Sequence, residues 1–266
     1  MAKDLICDIS IPLKFNGEQP NAYGVAAASS TPCDAGELVG DTRLGGSCNF
    51  ESYTFIPHCN GTHTECVGHI TDERISIRDC LQDIFIDAVL ISIEPTEASK
   101  TDESYADNGE GNDLLITKKI LLEALETAGN DTQLSELRIS HSKALVIRTL
   151  PNDVSKLTQK YGDNIPPYFT TEAMRFIVES GVKHLLVDLP SIDRIYDEGK
   201  LANHRIFWNI EPESRATNTA TRLYATITEL IYVPDNIPDG DYTLNLQIAP
   251  FQTDAAPSRP ILLKSP

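Results

Sequence analysis

The chain has 266 residues, of which 41% are hydrophobic and 7% aromatic, a composition typical of a globular protein with a sizeable buried core. Its 22 Lys and Arg residues face 39 Asp and Glu residues, which gives a formal net charge of -17. That balance disfavours binding to nucleic acid or to an anionic membrane surface, because both need a basic face. No apolar run approaches the roughly 18–20 residues that span a bilayer.

The N-terminal residues bear on the cellular compartment. Residues 1–7 combine a charge pair with a short apolar run, and they lack the apolar core and small-residue cleavage site of a secretory signal. We therefore expect a cytoplasmic protein. All six cysteines lie in the first third of the chain, and in a reducing compartment such thiols stay free rather than forming disulfides.

Apolar patterns along the chain predict many strands and a few helices. Apolar positions at helical spacing predict helices at 117–128 and 170–180, the second of which opens with a capping threonine and closes at Gly181. A further helix start is predicted at 71–73. Alternating or continuous apolar residues predict strands at 4–13, 47–55, 84–93, 142–150, 182–189, 226–230 and 243–248.

The order of these elements predicts the fold class. Strand, helix and strand over 142–189 are typical of a βαβ unit. No internal repeat or composition shift marks a boundary, so we predict one α/β domain over residues 1–266. The polar segments 14–48 and 94–113 are predicted loops. The first is long enough to be a binding segment or lid in which Tyr23 covers a pocket, and a mobile surface excursion is an equal alternative.

The densest group of reactive side chains lies at 57–69. Three of the chain's six histidines, one glutamate and two cysteines fall there, and imidazole, carboxylate and thiolate are the groups that hold divalent transition metals. His63 and Glu65 are two residues apart, so on a strand they share one face. Gly68 permits the bend that would return His69 to the same ion. The pair at 60–61 is a turn signal, so we expect an extended arm before it that brings in ligands from a second direction. We favour a metal or proton-transfer site over a surface loop of accidental composition.

The segment Gly61-Thr62-His63-x-Glu65-x-x-x-His69 resembles the metal-binding motif of the cyclase family, whose best-known members are bacterial kynurenine formamidases. That motif runs His-x-Gly-Thr-His-x-Asp-x-Pro-x-His. This sequence departs from it at three positions: Cys59 stands for the first histidine, Glu65 for aspartate and Val67 for proline. Cys59 would keep a zinc ligand, whereas a shift of one residue would let His58 serve instead. Both alternatives stay open.

Three later segments are also similar to the family. Residues 188–193 read Asp-Leu-Pro-Ser-Ile-Asp and follow a predicted strand, where ligand-binding residues of α/β sheets lie, although a plain turn is the alternative. His204, followed by Arg-Ile-Phe, is similar to the family's catalytic histidine, which implies a general base or acid. Glu229 is placed like a family glutamate that ligates the metal and contacts that histidine. Glu211 and Glu213 are rival acids for this role.

The resemblance implies an α/β domain with a central mixed, barrel-like β-sheet flanked by helices, assembled into a homodimer or homotetramer. It implies a metal-dependent, arylformamidase-like hydrolase of an amide or formamide-type C–N bond in a small-molecule substrate. A metal-activated water would be the nucleophile and His204 the general base or acid. The implied cofactor is a divalent metal, zinc first and manganese second. A non-catalytic or metal-free metabolite-binding relative is the alternative. The implied metal ligands are His63, Glu65, His69 and Glu229, with His58 or Cys59.

Overall fold

The computed structural model describes residues 6–36, 38–106, 111–128, 142–162 and 164–264. The strands are β1 Ile6–Asp8, β2 Asn21–Ala22, β3 Ser29–Pro32, β4 Asp34–Ala35, β5 Leu38–Val39, β6 Glu51–Thr54, β7 His63–Glu65, β8 Phe85–Ile93, β9 Thr96–Glu97, β10 Leu114–Ile116, β11 Ala144–Thr149, β12 Lys160–Tyr161, β13 Tyr168–Phe169, β14 His184–Val187, β15 Thr226–Glu229, β16 Gly240–Asn245, β17 Ala255–Pro257 and β18 Ile261–Lys264. The α-helices are α1 Pro57–Asn60, α2 Ile77–Cys80, α3 Lys118–Ala128, α4 Thr171–Glu179 and α5 Ala202–Trp208.

A mixed nine-stranded sheet in the order β1-β18-β16-β8-β11-β14-β15-β7-β17 carries the fold. Its four central strands, β8, β11, β14 and β15, run parallel to one another. The strands on either side pair antiparallel. Every residue of β11 and β14 is buried, as expected for central parallel strands that are covered on both faces. Continuous apolar runs predicted these strands for that reason.

The two faces of the central strands support separate hydrophobic clusters. Leu145 and Ile147 of β11 pack into the cluster that contains the apolar faces of α3 and α4 and the ring of Trp208. Ala144 and Val146 alternate to the other face, in a cluster with residues of β16 and β18. This alternation follows from the two-residue period of a strand. Helices α3, α4 and α5 therefore cover one side of the sheet, and residues of β1, β16 and β18 pack on the other.

The sheet curls because the chain after β1 pairs at two places. Ile9 N donates to the carbonyl of Pro260 at 3.1 Å, and Tyr232 N donates to the carbonyl of Ile9 at 2.8 Å. Ser10 then forms a bridge with Ile231, just after β15. The predicted α/β fold with a mixed, barrel-like sheet is confirmed, in the form of a curled half-barrel with few helices. The bounds 1–266 for the domain stay a prediction.

Both long helices were predicted at nearly their observed bounds. The prediction at 117–128 corresponds to α3, and that at 170–180 to α4. Thr170 caps α4, because its side chain accepts a hydrogen bond from Ala173 N. Among the described residues, no helix has the length and apolarity needed to cross a membrane.

Three local predictions were wrong. Residues 71–73 form bends instead of a helix start, and α2 begins only after Ser76, whose side chain accepts from Arg78 N. The arm before the motif is a helical turn, α1, with a proline in its first turn. The segment 14–48 is not wholly irregular, since β2 to β5 and a 3-10 turn at Thr42–Leu44 lie within it. Each of these elements is too short to produce a clear periodic pattern.

Candidate metal centre

Strand pairing at one end of the sheet brings two acids and a histidine together. β7 lies between β15 and β17, and its register sets His63 opposite Glu229 on β15. His63 and Glu65 project to one face of β7, as their spacing predicted, and with Glu229 they place one ligand atom each within 4.8 Å of one another. All three side chains are buried. We call this set the inner group.

The hydrogen bonds of the inner group fit a cation. His63 Nδ1 faces the carbonyl of Gly61 at 3.1 Å, which makes Nδ1 the protonated nitrogen. Its Nε2 then presents a lone pair to Glu229 Oε2 at 3.4 Å. His63 Nε2 and Glu65 Oε2 are buried atoms that have no hydrogen-bond partner among the described residues. A buried polar atom left unpaired costs about 1–3 kcal/mol. Acceptor atoms that converge in this way are the expected surroundings of a metal ion.

A second set, the outer group, contains His58, Glu65 and His69 and lies nearer the surface. His58 Nδ1 is 3.1 Å and His69 Nδ1 3.8 Å from Glu65 Oε2. The contact at 3.1 Å lacks the alignment of a hydrogen bond, so that oxygen has no donor. Asp254, just before β17, lies 2.9 Å from His58 Nε2 and 3.4 Å from His69 Nδ1. Glu65 therefore belongs to both groups.

His204 reaches the same carboxylate from α5. Its Nε2 lies 2.9 Å from Glu65 Oε1 and 3.8 Å from Glu229 Oε1. On its other side, Nδ1 forms a short hydrogen bond to Asp193 Oδ2. Asp193 is itself held by Tyr105 Oη at 2.9 Å and by the backbone N of Asn203 at 2.7 Å. The imidazole thus lies between two buried carboxylates.

The charges of this cluster shift its pKa values strongly. Burial opposes protonation of His58, but the carboxylates of Asp254 and Glu65 outweigh it and raise the pKa of His58 to about 10. Burial also acts against charge on Glu65, yet His69 and His204 lower the pKa of Glu65 well below its usual value. The pKa of His204 is raised against burial by Glu65 and Asp193. The neighbouring carboxylates therefore favour the protonated forms of His58 and His204 when no metal ion is bound.

The remaining sequence candidates lie outside both groups. Cys59 is buried, and burial together with the charge of Glu229 raises the pKa of its thiol to about 11. Glu211 and Glu213 are exposed and line a surface groove beside Arg205, so the structure does not bring them to Glu229.

Two further sequence candidates gain a defined place. Within the segment 188–193, Asp193 contacts His204, whereas Asp188 forms a buried ion pair with Lys156 at 2.8 Å. Tyr23, predicted to cover a pocket, is near enough to the site that burial, then the charges of Glu229 and Asp197, raise the pKa of its phenol.

Two residues of the cluster were missed by sequence reasoning. Asp254 contacts the motif from far along the chain, and the only sequence signal is one aspartate before a short strand. Tyr105 lies in the predicted loop 94–113, where a buried aromatic ring was not expected. Both contacts depend on strand pairing and loop packing, which no local pattern reports.

Comparisons with known proteins agree with this geometry. Residues 7–194 match the family model described as "Putative cyclase". No curated protein sequence matches the chain. The fold is similar to that of a "predicted metal-dependent hydrolase" from Bacillus stearothermophilus, with a TM-score of 0.61 and 15% identity over 99% of this chain and 100% of that one. Isatin hydrolase A from Labrenzia aggregata gives a TM-score of 0.62 and 12% identity over 99% and 94% of the two chains.

A further similar structure is an isatin hydrolase bound to the product analogue thioisatinate, with a TM-score of 0.61 and 14% identity over 99% of this chain and 94% of that chain. At such identities these structures establish the fold alone. The family match covers most of the chain and includes the whole of the motif at 57–69. The chain therefore belongs to the cyclase family.

Proposed function

We propose that the protein is a metal-dependent hydrolase that cleaves an amide or formamide-type C–N bond in a small-molecule substrate. One observation carries the proposal: the fully buried carboxylate of Glu65 is faced by the imidazoles of His58, His69 and His204. A cluster of this kind is costly for folding alone, because buried charges must be paired. Buried, perturbed groups in a cleft are characteristic of functional sites. The isatin hydrolases among the similar structures support a hydrolytic role.

The proposed cation ligands are His63, Glu65 and Glu229 in the inner group, with His58 and His69 in the outer group. These nitrogen and oxygen donors suit zinc, and manganese is the second candidate. When bound, a divalent cation supplies Lewis-acid activation of a water and of a scissile carbonyl. The ratio of bound metal to protein measures whether one ion or two are held.

His204 is the proposed general base or acid. Asp193 accepts the hydrogen of Nδ1, and this bond fixes the ring orientation and leaves Nε2 as the atom that gains or loses a proton. Nε2 points into the carboxylates of Glu65 and Glu229. Glu65 is the largest charge that raises the pKa of His204. A cation held by Glu65 would offset that charge and bring the pKa of His204 back toward neutral pH, where an imidazole transfers protons efficiently.

One edge of the cluster is open to solvent. His58 and His69 are the exposed edge of the cluster, with 24% and 27% of their side-chain surface accessible, whereas His63 and Glu65 are sealed. Phe55 and Phe251 each precede a residue of the cluster by three positions, and their ring centroids are 6.4 Å apart. We propose that the acyl group approaches over the two exposed imidazoles.

The test combines metal analysis with a panel of amides, formamides and esters. We expect bound zinc or manganese and hydrolysis of at least one amide or formamide by the wild type. His63→Ala should remove both the metal and hydrolysis. His204→Ala should keep the metal and slow hydrolysis by about 10²–10⁴-fold, the usual contribution of a positioned acid or base. His184→Asn, at a buried histidine outside the cluster, is the matched control and should keep both.

A wild-type protein that binds neither metal, or that binds metal but hydrolyses no member of the panel, would contradict the proposal and favour the metabolite-binding alternative. The homodimeric or homotetrameric state and the cytoplasmic location also stay proposals. Light scattering coupled to size exclusion measures the first, and fractionation of the native cell measures the second.

A further inference from the structure

We propose that His58 and not Cys59 binds the cation at the position where the family motif has its first histidine, and that Asp254 holds His58 for this role. The inference rests on the proposed function, because it concerns the same centre. It assigns a role to Asp254, a residue outside the family motif, and it decides between the two ligands that the sequence left open.

The two ring nitrogens of His58 face two different carboxylates. Nε2 lies 2.9 Å from Asp254 Oδ2, and Nδ1 lies 3.1 Å from Glu65 Oε2. A carboxylate can only accept, so Asp254 takes the hydrogen of Nε2. In the neutral imidazole that a metal ion requires, Nδ1 then carries the lone pair, and it faces an oxygen that has no donor among the described residues. This is the carboxylate–imidazole–metal arrangement by which proteins orient a metal-binding histidine.

The separation of these two ligand atoms fits one ion. Donors that bind zinc at about 2.0–2.2 Å with tetrahedral or octahedral angles stand roughly 3.0–3.5 Å from each other. The observed 3.1 Å between Nδ1 and Glu65 Oε2 lies in this range. The ring of His58 is also packed among the other imidazoles, with centroid distances of 4.3 Å to His69 and 5.0 Å to His63.

The helical turn α1 explains why the neighbouring residue is the ligand. Asn60 Oδ1 accepts a hydrogen bond from Ile56 N at 2.7 Å, and Cys59 N and Asn60 N both donate to the carbonyl of Ile56 at 3.0 Å. Consecutive residues of a helix differ by about 100° in direction. With the turn fixed, His58 and Cys59 cannot present their side chains to the same point. His58 takes part in a ligand group, and Cys59 takes part in neither.

Asp254 is tied to the motif by its backbone as well as its side chain. Its carbonyl accepts a hydrogen bond from Cys66 N at 3.0 Å, next to the pairing of β17 with β7. Its Oδ2 also lies 3.4 Å from His69 Nδ1. The same carboxylate therefore contacts both imidazoles of the outer group. Asp254 acts through the histidines and is a positioning residue, which predicts an effect on cation affinity.

The test uses cobalt(II) as a spectroscopic probe of the ligands in the intact protein. A thiolate ligand produces a strong near-ultraviolet charge-transfer band, whereas nitrogen and oxygen ligands leave only the weak visible bands. We expect the wild type to bind cobalt without the thiolate band. Cys59→Ser should leave the spectrum and the cobalt affinity unchanged, within about twofold.

The variants then test the positioning role. Asp254→Asn should weaken zinc or cobalt binding about 10–100-fold, the usual effect of losing the partner of a metal-binding histidine. His58→Ala should weaken it at least as much. Asp72→Asn is the control, since that side chain is 79% exposed, and should bind as the wild type does.

Distinct results overturn the inference and the proposed function. A thiolate band in the wild type that disappears in Cys59→Ser, or wild-type affinity in Asp254→Asn, would overturn the inference alone. A wild type that binds neither cobalt, zinc nor manganese would overturn both. The spectrum of the wild type needs no variant, so a variant that misfolds does not remove the test.

Discussion

Replacing Glu65 by glutamine removes the one carboxylate shared by both ligand groups while keeping the size of the side chain. Glu65 has no accessible surface. Its oxygens lie 2.9 Å from His204 Nε2, 3.1 Å from His58 Nδ1 and 3.8 Å from His69 Nδ1. Glutamine offers one accepting oxygen and a donating amide group. The amide carries no charge with which to hold either an imidazolium or a metal ion.

The size of the effect follows from these contacts. The aligned bond to His204 is charge-assisted, and such a bond contributes about 1.5–3 kcal/mol. We therefore expect Glu65→Gln to lower the free energy of unfolding by about 2 kcal/mol without metal. A cation present at 100 times its dissociation constant stabilises the native wild type by about 2.7 kcal/mol. The variant loses that gain, so with metal the difference should reach about 5 kcal/mol.

The assay is urea denaturation at pH 7, with and without saturating zinc or manganese, followed by fluorescence of the single tryptophan, Trp208. Glu73→Gln is the matched control, because Glu73 is an exposed glutamate close by in the chain. The control should gain as much from the cation as the wild type does. The reasoning fails if Glu65→Gln is stabilised by the cation as strongly as the wild type.

Three further substitutions test the scaffold. Gly68→Ala should lower the free energy of unfolding by several kcal/mol and weaken cation binding, because the added Cβ would lie 2.1 Å from the backbone oxygen of Ile75. Gly111→Ala is the control, since open space surrounds that position, and it should change the free energy of unfolding by less than about 0.5 kcal/mol. Equal effects of the two substitutions would contradict this. Thr170→Ala should lower the free energy of unfolding by about 1–2 kcal/mol, because it removes the N-terminal cap of α4. An unchanged free energy of unfolding would show that the cap does not stabilise the helix. Burial, only partly offset by the carboxylate of Asp83, lowers the pKa of His184 to about 4. Between pH 6.5 and 4 the unfolded chain therefore binds more protons at this residue than the folded chain does. The protein should lose on the order of 3 kcal/mol of stability through His184 across that window. The wild type should lose that much more than His184→Gln on acidification, and parallel pH profiles would disprove it.

The central scaffold was predictable because its physical causes are local. β8 and β11 are mostly apolar, since parallel strands covered on both faces expose little to water. α3 and α4 show apolar positions at helical spacing, and Thr170 marks the start of α4. Four-residue helices such as α1 carry no such period. The turn that separates His58 from Cys59 was therefore predicted as an extended arm.

The candidate site was predictable only where its residues are close in sequence or match a motif. His63 and Glu65 share a face because a strand alternates its side chains. The resemblance placed Glu229 beside them, and the strand register brings its carboxylate to within 3.4 Å of His63. Asp254 reaches His58 through the pairing of β17 with β7, a contact across 196 positions of the chain that no pattern in the sequence announces.

Anomalous diffraction from crystals grown with zinc or manganese tests the central claim most directly. The claim is that Glu65 binds a cation together with histidines of the 58–69 segment and Glu229. The account predicts an anomalous peak about 2.0–2.2 Å from a carboxylate oxygen of Glu65 and from at least one imidazole nitrogen of His58, His63 or His69. A metal found only elsewhere on the protein, with none at Glu65, would contradict it.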